Sequence, residues 1–433
     1  MRRTRCGIGM DVMRLDNGGD RRLGWARACA ALGLWCLPAL VLAIPKGLLP
    51  FGLLLLASTL LVPLRVARAT REIGWPWLLA AVAGIVPILV ALASVMLMHT
   101  GQGLDERDRL LVLPWTMAWA WALQPPREML WRGALAGLVA AAALALAQVL
   151  AGALRADGWA NAIVFADVVL VLMVLAVFCR PPRSWHWTAV GLALGMLAIM
   201  LSGTRGAWPG LLLLLLVLVF GSGWSSRRSR GLLLGALVAS GIVLLTSVPA
   251  LTEQLRLSEL RRDIERMDRG DHNSSAGARL ERLQVAVDAF ADAPWTGVGL
   301  GEFDRAMQRL PACRGESAWK VERCHLGHAH NDLAEWAATM GVPGIFALVL
   351  LYGIPLGLFL YLRRQTRGGR LRGSAPAGVM VVVAFMLSGM TQSMFAHQTS
   401  TSVYAAVCGL LLGLALREAR WHRERPAAAA TQP

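Results

Sequence analysis

Long apolar stretches separated by short polar ones run through most of the chain, near 28–44, 47–63, 74–98, 110–123, 130–154, 159–179, 185–203, 206–223, 231–251, 333–362, 375–396 and 402–416. A helix needs roughly 20 residues to cross bilayer hydrocarbon, so the pattern predicts an all-α polytopic membrane protein with about 12 transmembrane helices. The run 110–123 is short and must borrow length from its Trp-rich and polar flanks. One connection breaks the rhythm. Residues 252–331 are polar, and within them Leu257, Leu260, Ile264 and Met267 mark an amphipathic helix. A second helix is predicted over 277–292, where Leu280, Leu283, Ala286, Val287 and Phe290 form one stripe with Arg279 inside it, and Arg282 at its margin reads as an ordinary helix-surface residue. The expected layout is helices 1–9 over 1–251, a large external segment over 252–331, helices 10–12 over 332–416 and a tail over 417–433.

Composition agrees with this layout: 433 residues are 56% hydrophobic, with a mean hydropathy of +0.52. The net charge of +16 raises a nucleic-acid reading that its distribution removes. The arginines cluster in the N-terminal segment and at 65/68/71, 127/132, 180/183, 227/228/230, 363–372 and 417–425, all on one side of the predicted layout, while the rest of the chain is acidic on balance. That asymmetry predicts cytoplasmic termini. The first apolar run lacks a small-residue exit and leads at once into a second, so it is expected to be a retained helix.

Arg205 and Arg279 stand out against this trend. Arg205 sits in LSGTRGAWPG at the external end of two apolar runs, flanked by Gly203, Gly206 and Gly210. Phosphate binding and interfacial anchoring are both open to it, as an anion site or a carboxylate partner is to Arg279. Cys29, Cys36, Cys179 and Cys408 lie in apolar runs and read as small hydrophobes. Cys313 and Cys324 lie in the external segment, where a disulfide is expected and free thiols or a metal site are the alternatives.

The densest candidate chemistry is CHLGHAHND, with His325, His328 and His330 beside Cys324. A zinc site fits the spacing poorly, since neither H-E-x-x-H nor C-x-x-C occurs there. Helix capping and general-base roles both remain. Asn331 or Asp332 would cap the following helix, and the positive end of its dipole would hold His330 neutral, the form that accepts a proton. There is no D-x-D to hold a metal-bound nucleotide sugar and no G-x-x-x-x-G-K-[ST] loop to drive a pump. GVGLGEF, residues 297–303, reads as a tight turn shaping a pocket. Trp295, Trp319 and Trp336 could stack on sugars or anchor at the interface.

PWTGVGLGEF followed by HNDLAEWAATMGVPG resembles the O-antigen ligase and polymerase superfamily. His330, Asn331, Gly341 and Gly344 fill the four positions of the ligase pattern H-[NSQ]-x9-G-x2-[GTY]. SGTRG and ARLERLQVAVDAF are similar to the two segments where the family carries arginines, and the likeness covers mainly 200–350. The resemblance implies a GT-C-like, metal-independent, inverting transferase without a cofactor. It would move O-antigen polysaccharide from undecaprenyl diphosphate to the lipid A core oligosaccharide, at the periplasmic face of a Gram-negative inner membrane. Its partners would be those two lipids and the membrane, with no nucleic acid. His330 would be the base, Arg205 and Arg279 would bind the diphosphate, and His328, Asn331 and Arg282 would be supporting candidates. An O-antigen polymerase shares the donor chemistry. A protein O-oligosaccharyltransferase usually carries a longer C-terminal region than the about 17 residues that follow the last run here. A 12-helix transporter would be expected to show an internal repeat, and none is visible.

Overall fold

The computed structural model describes residues 19–100, 103–221, 275–314, 324–325, 327–366 and 372–430. The predicted ninth run, 231–251, and the amphipathic helix marked by Leu257 to Met267 lie outside them, as does Trp319. Every regular element among the described residues is helical.

Among the described residues, six helices are long and apolar enough to cross a membrane. They are α1 (Gly19–Leu40), α4 (Trp75–Met98), α7 (Glu128–Leu150), α9 (Trp185–Ser202), α13 (Asp332–Gln365) and α15 (Gln398–Ala430). Shorter apolar helices are α6 (Val112–Leu123), α8 (Ala162–Phe178), α10 (Trp208–Gly221) and α14 (Ser374–Gly389). The short run at 110–123 gains its length as expected: α5 (Leu104–Arg107) and a 3₁₀ turn over Asp108–Leu111 lead into α6.

The run 47–63 is not one straight span. It breaks into α2 (Leu49–Leu61) and α3 (Pro63–Ile73), which meet at 92°. Pro63 cannot continue the hydrogen-bond ladder of α2 but suits the first position of a new helix. Arg65, Arg68 and Arg71 then give α3 an exposed polar face.

Helix α8 is buried on nearly every side, and α6 is similarly enclosed. Both carry apolar residues all round, which suits a position inside the bundle. Helix α15 packs along the whole of α6. Gly409 and Gly413, four residues apart, let the two backbones meet, since a Cβ at either would strike carbonyls of Leu113 or Met117. The outer helices expose Leu53, Leu89, Leu97, Phe346 and Val349. Such apolar surface is suited to lipid rather than water.

Candidate active site

Between α10 and α13 the described chain contains α11 (Ser275–Asp292) and the short α12 (Phe303–Met307). The two glycine-bearing motifs meet here. Helix α13 breaks at Gly341, whose φ is 64° and ψ −152°. The break frees backbone groups that would otherwise pair within the helix. The loop 294–299 takes them up: Val298 and Gly299 amides donate to the carbonyls of Ala338 and Thr339 at 2.8 and 3.1 Å, and Val342 donates to Pro294 O at 2.7 Å. A Cβ on Gly341 would lie 2.4 Å from Pro294 O, and one on Gly297 2.3 Å from the Thr339 carbonyl carbon. The amide of Leu300 donates to Ser94 Oγ at 3.0 Å, tying the loop to α4. Gly341 thus serves architecture: it fixes the broken helix whose first turn carries the candidate chemistry.

Asn331 is the N-cap of α13, accepting from the Ala334 amide at 3.0 Å. His330 precedes it with φ 56°, a left-handed backbone that a non-glycine residue adopts at a cost of roughly 1–3 kcal/mol. The half-buried imidazole sits with Nδ1 2.5 Å from Gln392 Oε1, and Gln392 Nε2 is 2.6 Å from His397 Nε2. A carbonyl oxygen only accepts, so His330 carries its proton on Nδ1 and its lone pair on Nε2. Burial, together with Arg282, Arg279 and His397, pushes the His330 pKa down to about 4, against the raising effect of the Gln392 bond. The expected direction is found, but desolvation and the arginines, rather than the helix dipole, are its causes. His328 stacks edge-on against His330 and His397, with ring centroids 4.5 and 5.3 Å apart.

Arg205 and Arg279, more than 70 positions apart in sequence, line one crevice with Arg155, Thr204, Gly206 and Thr391. Arg205 lies in the 3₁₀ turn between α9 and α10. Gly206 allows that turn to approach Thr391, whose Oγ1 would be 2.5 Å from a Cβ there. Nη1 of Arg205 is buried and makes no hydrogen bond among the described residues. A buried donor left so is suited to an anionic ligand. Arg155 donates to Ser202 O at 2.9 Å and to Thr204 Oγ1 at 3.1 Å, which steadies the turn. Arg279 has an exposed surface, yet burial and then Arg205 lower its guanidinium below its ordinary value. An open mouth with crowded sides accounts for both. Thr391 on the crevice wall is bonded in sequence to Gln392 on His330, so the arginines and the imidazole share one short segment.

The predicted stripe of α11 is split: Ala286 of the stripe is buried and Phe290 half-buried, but its other members face outward. Arg282, Val285, Ala286 and Ala289 are buried against the protein, while Leu280, Leu283 and Val287 are 49%, 40% and 54% exposed. Arg282 is not an ordinary surface residue but lies 3% exposed, close enough to lower the His330 pKa. A helical wheel identifies the apolar face, but at a membrane surface that face can point outward.

A polar layer lies beneath. Arg107 is buried, donates to Phe395 O, stacks 4.4 Å above the Trp336 ring, and has the charges of Glu335 and Asp332 beside it. Glu335 accepts from the Ala329 amide at 2.6 Å, and Asp332 accepts from Tyr352 Oη at 2.7 Å. Trp336 is fully buried, which removes it from the interfacial anchors, while Trp295 is 71% exposed. Cys313 and Cys324 are joined in a disulfide, 5.6 Å between Cα atoms. No group of three or more His, Cys, Asp or Glu among the described residues is arranged to hold a metal.

Sequence reasoning passed over Gln392, His397, Thr391, Arg155 and Arg107. Arg155 and Arg107 carried the same signal as Arg205, an arginine on the side where arginine is scarce. Gln392 and His397 lie in TQSMFAHQTST, a polar stretch that overlaps the end of the run 375–396 and precedes the next.

This is a helical membrane protein with a histidine and a cluster of arginines at one end of its bundle. Residues 190–349 match the family model described as O-antigen ligase. The match includes Arg205, Arg279, Arg282 and His330, and ends before Gln392 and His397. The chain is also 24% identical over 226 residues to an uncharacterized protein of Haemophilus influenzae, an alignment covering 51% of this chain and 56% of that relative. The chain thus spans little more than half the length of this relative.

Proposed function

We propose that this protein is an O-antigen ligase, transferring O-antigen polysaccharide from undecaprenyl diphosphate to the lipid A core oligosaccharide. The site would face the periplasm of a Gram-negative inner membrane, with both termini in the cytoplasm. The observation that carries the proposal is the link from His330 through Gln392 to Thr391, which sets a neutral imidazole beside the crevice of Arg205 and Arg279. In this reaction an acceptor hydroxyl oxygen attacks the anomeric carbon of the donor. His330 Nε2 takes the hydroxyl proton, the bond from that carbon to the diphosphate oxygen breaks, and undecaprenyl diphosphate leaves with the electron pair. Arg205 and Arg279, with their planar donor forks, would stabilise the charge that develops on the diphosphate. A single displacement inverts the anomeric centre.

The test is reconstitution with lipid-linked donor and, in parallel, core lipid, a shorter lipid-linked donor or an acceptor protein. Extension of core lipid is expected. Extension of the shorter donor instead would make the protein a polymerase, glycosylation of the acceptor protein would make it an oligosaccharyltransferase, and movement of donor without transfer would make it a transporter. His330→Ala should lower transfer roughly 10²–10⁴-fold and Arg205→Ala roughly 10²–10³-fold, with lipid-linked polymer still present. Normal transfer by both variants would overturn the mechanism.

A further inference from the structure

The end of the bundle remote from His330 carries a second cluster of charge. Arg417 lies 19 residues beyond Gln398 on α15, roughly 28 Å at 1.5 Å per residue, about the thickness of bilayer hydrocarbon. A cavity of about 480 Å³ opens there, its charged and aromatic lining drawn from Arg65, Arg68 and Glu72 of α3, Trp121 of α6, and Arg417, Arg420 and Glu424 of α15. The 92° break between α2 and α3 supplies one wall, because it turns α3 across the end of the bundle.

The guanidinium groups are held in place. Arg417 Nη1 donates to Trp121 O at 2.6 Å and Arg65 Nε to Ala122 O at 3.1 Å, so both cap the last carbonyls of α6. Arg417 and Arg420 also stand 5.4 and 5.7 Å from the Trp121 ring. Capping alone would need two arginines, yet Arg417 has the positive charges of Arg420, Arg65 and Arg27 around it, offset by Glu72. Glu72 itself accepts from the Trp121 indole at 2.9 Å, and Glu424 is paired with Arg420. Each capping guanidinium has further N–H donors beyond the one spent on a carbonyl. Four arginines against the carboxylates of Glu72 and Glu424 leave positive charge in excess around the cavity, which a further anion would offset.

We propose that this cavity is a binding site for a phosphate-bearing anion at the membrane surface opposite His330. Fixed guanidinium forks suit phosphate oxygens, and basic pockets between helix ends are suited to lipid phosphates. A phospholipid headgroup and a soluble phosphate share this chemistry, so the experiment separates them. The full chain is placed in phosphatidylcholine nanodiscs doped with phosphatidylglycerol, and retained lipid is counted by native mass spectrometry. In a second arm, inorganic diphosphate is titrated against the protein in undoped discs, in an Arg205→Ala background that disables the other phosphate-binding candidate, with thermal stability as readout. Preferential retention of phosphatidylglycerol is expected, weakened roughly fivefold for each of Arg68→Gln and Arg420→Gln. Both residues are exposed, and neither variant removes a cap of α6. Saturable stabilisation by diphosphate alone, lost in the same two variants, supports the site and assigns it a soluble ligand. Equal retention of both lipids with no diphosphate response overturns the proposal, as does a response that both variants leave unchanged.

Discussion

His330 Nδ1 lies 2.5 Å from Oε1 of Gln392, and the same amide reaches His397 Nε2 at 2.6 Å. One glutamine therefore sets the tautomer of two histidines, leaving Nε2 of His330 as the basic nitrogen. Gln392→Leu should lower transfer roughly 10-fold to 100-fold through lost orientation. Gln392→Glu should place a carboxylate against the imidazole, raise its pKa and move the acid limb of the pH–rate profile upward. An unmoved profile in the glutamate variant would refute the positioning role.

His330 is faced by Arg279 and Arg282 from α11 and by Gln392, His397 and His328 from the neighbouring loops. Burial lowers the His330 pKa from its ordinary 6.5 to about 4. Transfer should stay level from pH 7 to about 5 and fall by half near 4, not near 6.5. For stability the sign follows from proton uptake: between 6.5 and 4 the unfolded chain binds a proton that the folded chain does not. His330 thus costs no stability above 6.5 and destabilises progressively as pH falls through that window. His330→Gln should flatten this part of the melting-temperature profile, as thermal unfolding across pH would show.

Arg282 is the buried arginine of α11, at 3% exposure, while Arg279 is exposed. Arg282→Leu should lower both folding yield and transfer, whereas Arg282→Lys, which keeps the charge, should recover yield and only part of the activity because it loses the planar fork. Full activity of Arg282→Leu would show that its charge is not needed near His330.

Gly341→Ala should destabilise by roughly 1–3 kcal/mol, since the added carbon meets Pro294 O at 2.4 Å and the left-handed φ disfavours alanine. Transfer should fall with it, and thermal melting of the purified variant measures the first effect. Unchanged melting would mean that the loop 294–299 does not depend on the break.

The disulfide between Cys313 and Cys324 closes a loop of sequence separation 11. Loss of such a link costs roughly 2–4 kcal/mol. Cys313→Ser and Cys324→Ser should each raise protease sensitivity of the external segment while leaving the spans intact, and limited proteolysis with and without reductant would report it.

Much of the helical layout could be read from the sequence because each apolar run carries its own signal: its length against bilayer thickness, and its arginine-rich flanks. The bend at Pro63 was less accessible, since proline permits either a kink or a new helix until neighbours pack. The rotated buried face of α11 is more instructive. The same wheel contains Leu280 and Arg282, and only the surrounding protein determines which side is covered.

The sequence by itself pointed to a helical membrane protein with one long polar segment, and to His330, Arg205 and Arg279 as candidates whose functional and structural roles it left open. Those conclusions follow from local hydrophobicity and charge. Tertiary structure decided that Arg205, Arg279 and Arg155 line one crevice, that Arg282 is buried near His330, and that Gln392 and His397 set the imidazole's tautomer. These are contacts across many tens to more than a hundred residues, and their energies depend on distance and burial, which exist only once the chain has folded.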